Sequence, residues 1–205
     1  MILSWEYPPR VVGDLARYVE RLATRLANRD IDVHVVTYHE DAPTFEERNG
    51  VQIHRVRNPV TTHINIISWV LTLIAEFERV FADIFYHYRG EVDVVDTHEW
   101  LCVPAALAVT RAFGVPFVYT IHSLEEHRSH HASSPLNLTI QNIEKLGIDE
   151  AGRIQTTSKW MQSEILRLRQ VHKSCIRVSS PHARTWVANV VKTYQSVLRT
   201  RGEAP

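Results

Sequence analysis

Short apolar runs alternate along the chain with longer segments whose apolar residues recur at helical spacing. Residues 1–5 open as a strand, and residues 6–13, with Pro8 and Pro9, form a loop. From Asp14, a residue suited to cap a helix, Leu15, Val19, Leu22, Ala23 and Leu26 keep one helical face, which Asn28-Arg29-Asp30 closes. Val33, Val35 and Val36 make the next strand. Residues 40–49 are charged and contain Pro43, which predicts a loop ending in an Asn49-Gly50 turn. Val51-Gln52-Ile53-His54-Arg55-Val56 then alternates like a half-covered strand at the sheet edge. A long helix over 66–88 carries Trp69, Phe77, Phe81 and Phe85 as a core stripe.

The second half repeats the alternation. Residues 92–98 are a strand, and a helix starting near Trp100 takes Pro104 in its first turn. Gly114-Val115-Pro116 ends that helix and starts the apolar strand 117–121, which runs into His122-Ser123 and a polar, His-rich loop. A helix over 136–146 is ended by Gly147. Residues 152–157 form a strand, Ser158 caps a helix holding Met161, Ile165 and Leu168, and residues 176–178 are a last short strand. Strands alternating with helices predict an α/β fold: a Rossmann-like parallel sheet with helices on both faces and right-handed crossovers. Ser179-Ser180-Pro181 is a break. Beyond it Trp186, Val187, Val190, Val191, Tyr194, Val197 and Leu198 keep helical spacing with no strand to follow, so this amphipathic helix must bury its stripe against something. The expected organisation is a domain over 1–180 and a returning helix over 181–205.

Composition narrows the function. With 205 residues, 44% of them hydrophobic, the chain can bury a real core, and one domain, or one and a small appendage, is the expectation. Lys+Arg 23 against Asp+Glu 23 gives no electrostatic case for nucleic acid or an anionic membrane surface. The most apolar run contains Glu76, Glu78, Arg79 and Asp83, so it is not a membrane span. No signal peptide precedes the fold, and the expected location is the cytoplasm. Cys102 and Cys175 lie in apolar company, which favours buried reduced thiols.

Candidate chemistry centres on His122. An apolar strand delivering an imidazole to its carboxyl end builds a site where open α/β sheets bind ligands, and a plain polar residue at a strand exit is the other reading. His127, His130 and His131 with His122 lack the register and the Cys or carboxylate partners of a zinc site, so a solvated loop and no metal are expected. Lys159 and Arg128 read as surface charges. No Ser-His-Asp arrangement can be identified.

Four stretches together resemble one family. Ser4-Trp5-Glu6-Tyr7-Pro8-Pro9 with Val12-Gly13 and Leu15-Ala16 resembles the opening strand, Pro-rich turn and Gly-Gly-Leu helix start of the first domain of retaining GT-B glycosyltransferases. The group is that of glycogen and starch synthases, sucrose synthases and bacterial mannosyltransferases. Asp96-Thr97-His98-Glu99-Trp100 resembles its His-x-His-(Asp/Glu)-Trp strand end, with Asp96 where the first His often stands. Tyr119-Thr120-Ile121-His122 resembles its (Val/Tyr)-Thr-x-His motif, and Thr156-Thr157-Ser158-Lys159 a further strand end. The resemblance implies a sugar transferase in which His122 contacts the transferred sugar and stabilises charge in an oxocarbenium-like transition state. It implies that the Gly13 loop, with Asp14, approaches the donor phosphates. It also implies that His98, Glu99 and Trp100 line the acceptor side. The partners implied are a nucleotide sugar, ADP- or UDP-glucose acting as substrate with no cofactor, and a glucan acceptor.

Two departures stand out. Gly13-Asp14 replaces the family's Gly-Gly, and a carboxylate about 4 Å from a phosphate costs on the order of 4 kcal/mol at an effective dielectric near 20. Either Asp14 points away as a helix cap, or the phosphate site is impaired. The family's donor-binding second domain is also absent. The expectation is a first domain with its returning terminal helix, and either a separate donor-binding domain or a homodimer covering the exposed cleft face.

Overall fold

The computed structural model describes residues 1–202 apart from 42, 131 and 132. The elements in chain order are β1 (Ile2–Ser4), α1 (Asp14–Ala27), β2 (Val33–Tyr38), β3 (Thr44–Arg48), β4 (Val51–Val56) and α2 (Ile66–His87). Then follow β5 (Val95–His98), α3 (Val103–Phe113), β6 (Phe117–Ile121), α4 (Glu125–Arg128), α5 (Pro135–Glu150), β7 (Arg153–Thr156), α6 (Lys159–Leu168), β8 (Ile176–Val178) and α7 (Trp186–Gly202). One sheet takes the order β3-β4-β2-β1-β5-β6-β7-β8, parallel throughout except for the β3–β4 pair. The expected Rossmann-like parallel sheet is therefore what the chain forms.

Side chains alternate across the strands and feed two cores. Phe117, Tyr119 and Ile121 of β6 join α2, α3, α5 and α6 on one face. Val118 joins α1 and α7 on the other. The phenylalanine stripe of α2 is core, with Phe77 and Phe81 buried and Trp69 and Phe85 packed at its margin.

Helix α7 buries Trp186, Val187, Val190, Tyr194 and Val197 against the sheet and α1. Its seat depends on Gly152: a Cβ there would lie 2.7 Å from Val197 Cγ1, closer than packed carbons allow.

Several local expectations need correcting. Residues 40–49 are not all loop, because β3 occupies Thr44–Arg48 and takes the sheet edge in place of β4. The Asn49-Gly50 turn has φ 53° and 74°, the left-handed pair that folds two strands into a hairpin. Its charges decorate an edge: Glu46 meets the buried Arg55 guanidinium at 2.6 Å. Gly147 does not end a helix. Helix α5 runs through it, and a Cβ there would meet Val103 at 2.8 Å and Tyr119 at 3.0 Å, so the glycine serves close packing. The His-rich loop contains the short helix α4. Cys102 is buried, whereas Cys175 is only half-buried; both are free thiols.

Candidate active-site cleft

A cleft of about 890 Å³ opens at the carboxyl ends of the central strands, where ligands of open α/β sheets bind. Trp5 and Glu6 enter it after β1, Glu99 and Trp100 after β5, and His122 and Ser123 after β6. Helix α1 contributes Asp14, Arg17, Tyr18 and Arg21, spaced three and four apart so that they form one stripe. Pro181 and His182, just before α7, close the far wall.

His122 emerges from β6 and is held at its backbone. Glu99 Oε1 accepts the N–H groups of His122 at 2.8 Å and Ser123 at 2.9 Å. Glu99 Oε2 takes the Ser123 hydroxyl and an Arg128 N–H, each at 3.2 Å. To reach this position Glu99 adopts φ 64°, a left-handed conformation that costs a non-glycine residue about 1–3 kcal/mol and concentrates at functional sites. The His122 ring meets the edge of Tyr18 at 4.6 Å, and its Nε2 lies 3.1 Å from His98 Nδ1. Burial, followed by the neighbouring His98, pushes the His122 imidazole down to about 3, so the ring is neutral near pH 7.

His98 does not line the cleft. Its ring is fully buried behind His122, because β5 and β6 pair His98 with Thr120 and leave His122 two residues further out. Behind His98 stands Asp96, also buried, with Oδ2 at 3.4 Å from His98 Nε2. Asp96 Oδ1 accepts the Thr120 hydroxyl at 2.6 Å, and Oδ2 accepts the Tyr194 hydroxyl at 2.5 Å. Burial pushes the Asp96 carboxyl up, but His98, Thr120 and Tyr194 outweigh it and hold the group below its ordinary range. Burial, then the adjoining carboxylate, raises the Tyr194 phenol well above its ordinary value, so it remains a donor.

The other sequence candidates also have definite places. The N–H groups of Val12 and Gly13 are already taken by Glu6 Oε2, at 2.7 and 2.9 Å. Gly13 is the N-cap position with an extended backbone, and Asp14 follows as the first helical residue. Asp14 is therefore not the cap: it makes no capping bond and lies exposed at the cleft. Arg17 and Arg21 line the same cleft one and two turns further along the helix. Trp100 is buried and forms part of the wall.

Arg128 is no idle surface charge. It bridges Glu99, Glu125 at 3.0 Å and Glu144 at 2.6 Å, fastening α4 and α5 to the cleft. Burial raises the Glu144 carboxyl to about 7 even against the pull of Arg128. His127 pairs with Glu164 at 2.9 Å, and His131 lies outside the described residues. Among the described residues no group of three or more His, Cys, Asp or Glu could hold a metal ion. Glu6, Arg17, Tyr18, Arg21, Asp96 and Tyr194 were not assigned to the site from sequence. The spacing of Asp14, Arg17, Tyr18 and Arg21 on one polar helical face was the signal available for three of them.

The profile described as Glycosyltransferase Family 4 matches residues 15–181, most of the chain. The chain belongs to glycosyltransferase family 4. It is 26% identical over 200 residues to an uncharacterised glycosyltransferase of Methanocaldococcus jannaschii, covering 98% of this chain and 50% of that one. It is 31% identical over 182 residues to glycogen synthase of Mycobacterium tuberculosis, covering 82% of this chain and 44% of that one. The family-4 chain thus spans about half the length of the curated relatives it matches. Among solved structures, sucrose-phosphate synthase from Thermosynechococcus elongatus superimposes with TM-score 0.70 at 20% identity, over 87% of this chain and 47% of that one. A second chain of that enzyme, designated 27_220_406_426, superimposes with TM-score 0.68 at 18% identity over 98% of this chain and 97% of that one. Among the described residues no helix is long and apolar enough to cross a membrane.

Proposed function

We propose that this family-4 chain is the acceptor-side half of a retaining, glycogen-synthase-like glucosyltransferase, working with ADP- or UDP-glucose and a glucan. The observation that carries the reading is the cleft at the strand ends, in which a neutral His122 stands opposite the α1 stripe. A neutral imidazole exchanges hydrogen bonds with sugar hydroxyls without the desolvation cost of a charge. Trp5, half-buried in the cleft wall, supplies flat apolar surface for a sugar ring. Arg17 and Arg21 offer positive charge toward a diphosphate, while the Val12 and Gly13 donors stay with Glu6. Glu99 acts on the His122 loop and supports the site from behind, and Arg128 steadies Glu99.

Under this reading the donor contacts come from a second domain, outside the half of the relatives' length that these residues match. The half-length match to the curated relatives supports this reading. Under this reading residues 1–180 are the acceptor domain and 181–205 its returning helix. Val12 and Ile64 are 61% and 95% exposed and flank cleft residues Asp14 and Ile66, which suits a face that a second body covers.

Isothermal titration with malto-oligosaccharide and with nucleotide tests the assignment. Glucan binding without nucleotide binding is the expected outcome. Binding of neither supports the alternative, a scaffold module whose exposed face pairs with a partner or a second copy. Efficient turnover of a nucleotide sugar by this chain alone would overturn the division of labour.

A further inference from the structure

The buried residues behind His122 form a continuous polar path from the last helix to the cleft. Tyr194 donates to Asp96, Asp96 faces His98, and His98 meets His122. Three observations fix the direction in which protons sit along it. The two carboxylate oxygens of Asp96 are both accepting hydroxyl protons, so the carboxylate is anchored. His98 Nε2 is fully buried, makes no hydrogen bond among the described residues, and lies 3.4 Å from Asp96 Oδ2. His122 bonds through Nε2 to His98 Nδ1, and its own Nδ1 makes no hydrogen bond among the described residues.

A nitrogen lone pair 3.4 Å from an anchored carboxylate is repelled, whereas an N–H at that distance is attracted even off the hydrogen-bond line. His98 therefore carries its proton on Nε2. Its Nδ1 is then an acceptor, and the proton in the 3.1 Å contact belongs to His122 Nε2. We propose that Asp96, anchored by Thr120 and by Tyr194 of α7, fixes the tautomer of His122 through His98, so that the ring presents a bare Nδ1 acceptor to the cleft. His122 then receives a hydrogen bond from a ligand hydroxyl and does not donate one. Asp96, His98 and Tyr194 are positioning residues, and the returning helix sets the chemistry of a ring it does not touch. The consequence for a sugar ligand rests on the transferase reading; the tautomer itself does not.

The test is a long-range nitrogen–proton correlation spectrum of the histidine side chains of the full chain near pH 7. His122 is expected to show the signature of one tautomer, with Nε2 protonated and Nδ1 bare. A protonated Nδ1, or an even mixture, would overturn the proposal. Asp96→Asn is expected to lose that single-tautomer signature at His122, a residue it does not contact, and Tyr194→Phe to shift it by less. Asp32→Asn, beside the remote His34–His54 pair, should leave the His122 signals in place. If the wild-type tautomer is as stated but Asp96→Asn leaves it unchanged, control by Asp96 is wrong. If Asp96→Asn does not fold, the wild-type spectrum and Tyr194→Phe still decide. A chain with the expected spectrum that binds no glucan would sink the transferase reading and leave the tautomer assignment standing.

Discussion

The sheet contains two histidine pairs built on the same geometric plan. His98 pairs with Thr120 across β5 and β6 and bonds His122, two residues on, at 3.1 Å. His34 pairs with Gln52 across β2 and β4 and bonds His54, two residues on, at 3.0 Å. Each pair joins Nδ1 to Nε2, and each has a tyrosine edge against one ring, Tyr18 at 4.6 Å or Tyr88 at 5.0 Å. Each has an aspartate two residues before its first histidine, 3.4 or 3.5 Å from that ring's Nε2. What differs is the carboxylate's surroundings. The Asp96 side chain is 1% exposed and takes two hydroxyl bonds, while that of Asp32 is 59% exposed and takes an amide bond from Gln52. A parallel sheet produces diagonal histidine pairs readily, then. Only the pair at the carboxyl ends of the strands opens on the large cleft and is backed by a dry, anchored charge.

The largest expected contrast between the pairs is in stability. Asp96→Ala strips the partners from Thr120, Tyr194 and His98 in a buried site and should cost about 3–5 kcal/mol. Asp32→Ala should stay within about 0.5 kcal/mol of wild type. Urea unfolding of the two variants measures both, and equal losses would break the comparison. Next comes Tyr194→Phe, which removes one buried hydrogen bond to a charged group and should cost about 1.5–3 kcal/mol. Tyr88→Phe, whose hydroxyl meets Gln52, should cost less than about 1 kcal/mol.

The pairs should behave alike in acid. Burial, then the partner ring, lowers His54 to about 4 and His122 to about 3, from an ordinary 6.5. The unfolded chain therefore binds more protons than the folded one below about pH 6.5, and stability falls as pH drops from there toward those values. Each ring contributes at most about 1.4 kcal/mol per pH unit. His54→Gln and His122→Gln should each flatten the acid limb of a stability–pH curve, and a limb unchanged by both would contradict the neutral assignment.

A modest binding effect carries the functional contrast. His122→Ala should weaken malto-oligosaccharide binding about tenfold, about 1.4 kcal/mol, while His54→Ala should leave it unchanged.

The sequence made the alternation of the sheet legible because buried parallel strands and amphipathic helices write their periods directly into the apolar residues. The turn at Gly114 was readable for the same local reason, its φ of 68° at a helix C-cap. Long-range demands were not readable. Thr44–Arg48 looks like loop because an edge strand needs charge on its open side, although the Asn49-Gly50 turn required a partner for β4. Gly147 looks like a stop because nothing local reveals Val103 and Tyr119 pressing on it. In the site, His122 stood out at a strand end, and nothing local set His98 apart from it as a ligand-facing residue. Only the pairing register sends one ring to the cleft and the other behind it. Asp96 and Tyr194 are 98 residues apart, and no spacing rule connects them.

The central claim, that the His122 pair faces a sugar site and the His34 pair does not, reduces to one titration. Malto-oligosaccharide is added to histidine-labelled protein while the ring nitrogens of His122 and His54 are followed by NMR. A saturable shift at His122 Nδ1 with His54 unmoved is the result expected. Shifts confined to His54, or none at His122 as other cleft signals move, would contradict the assignment.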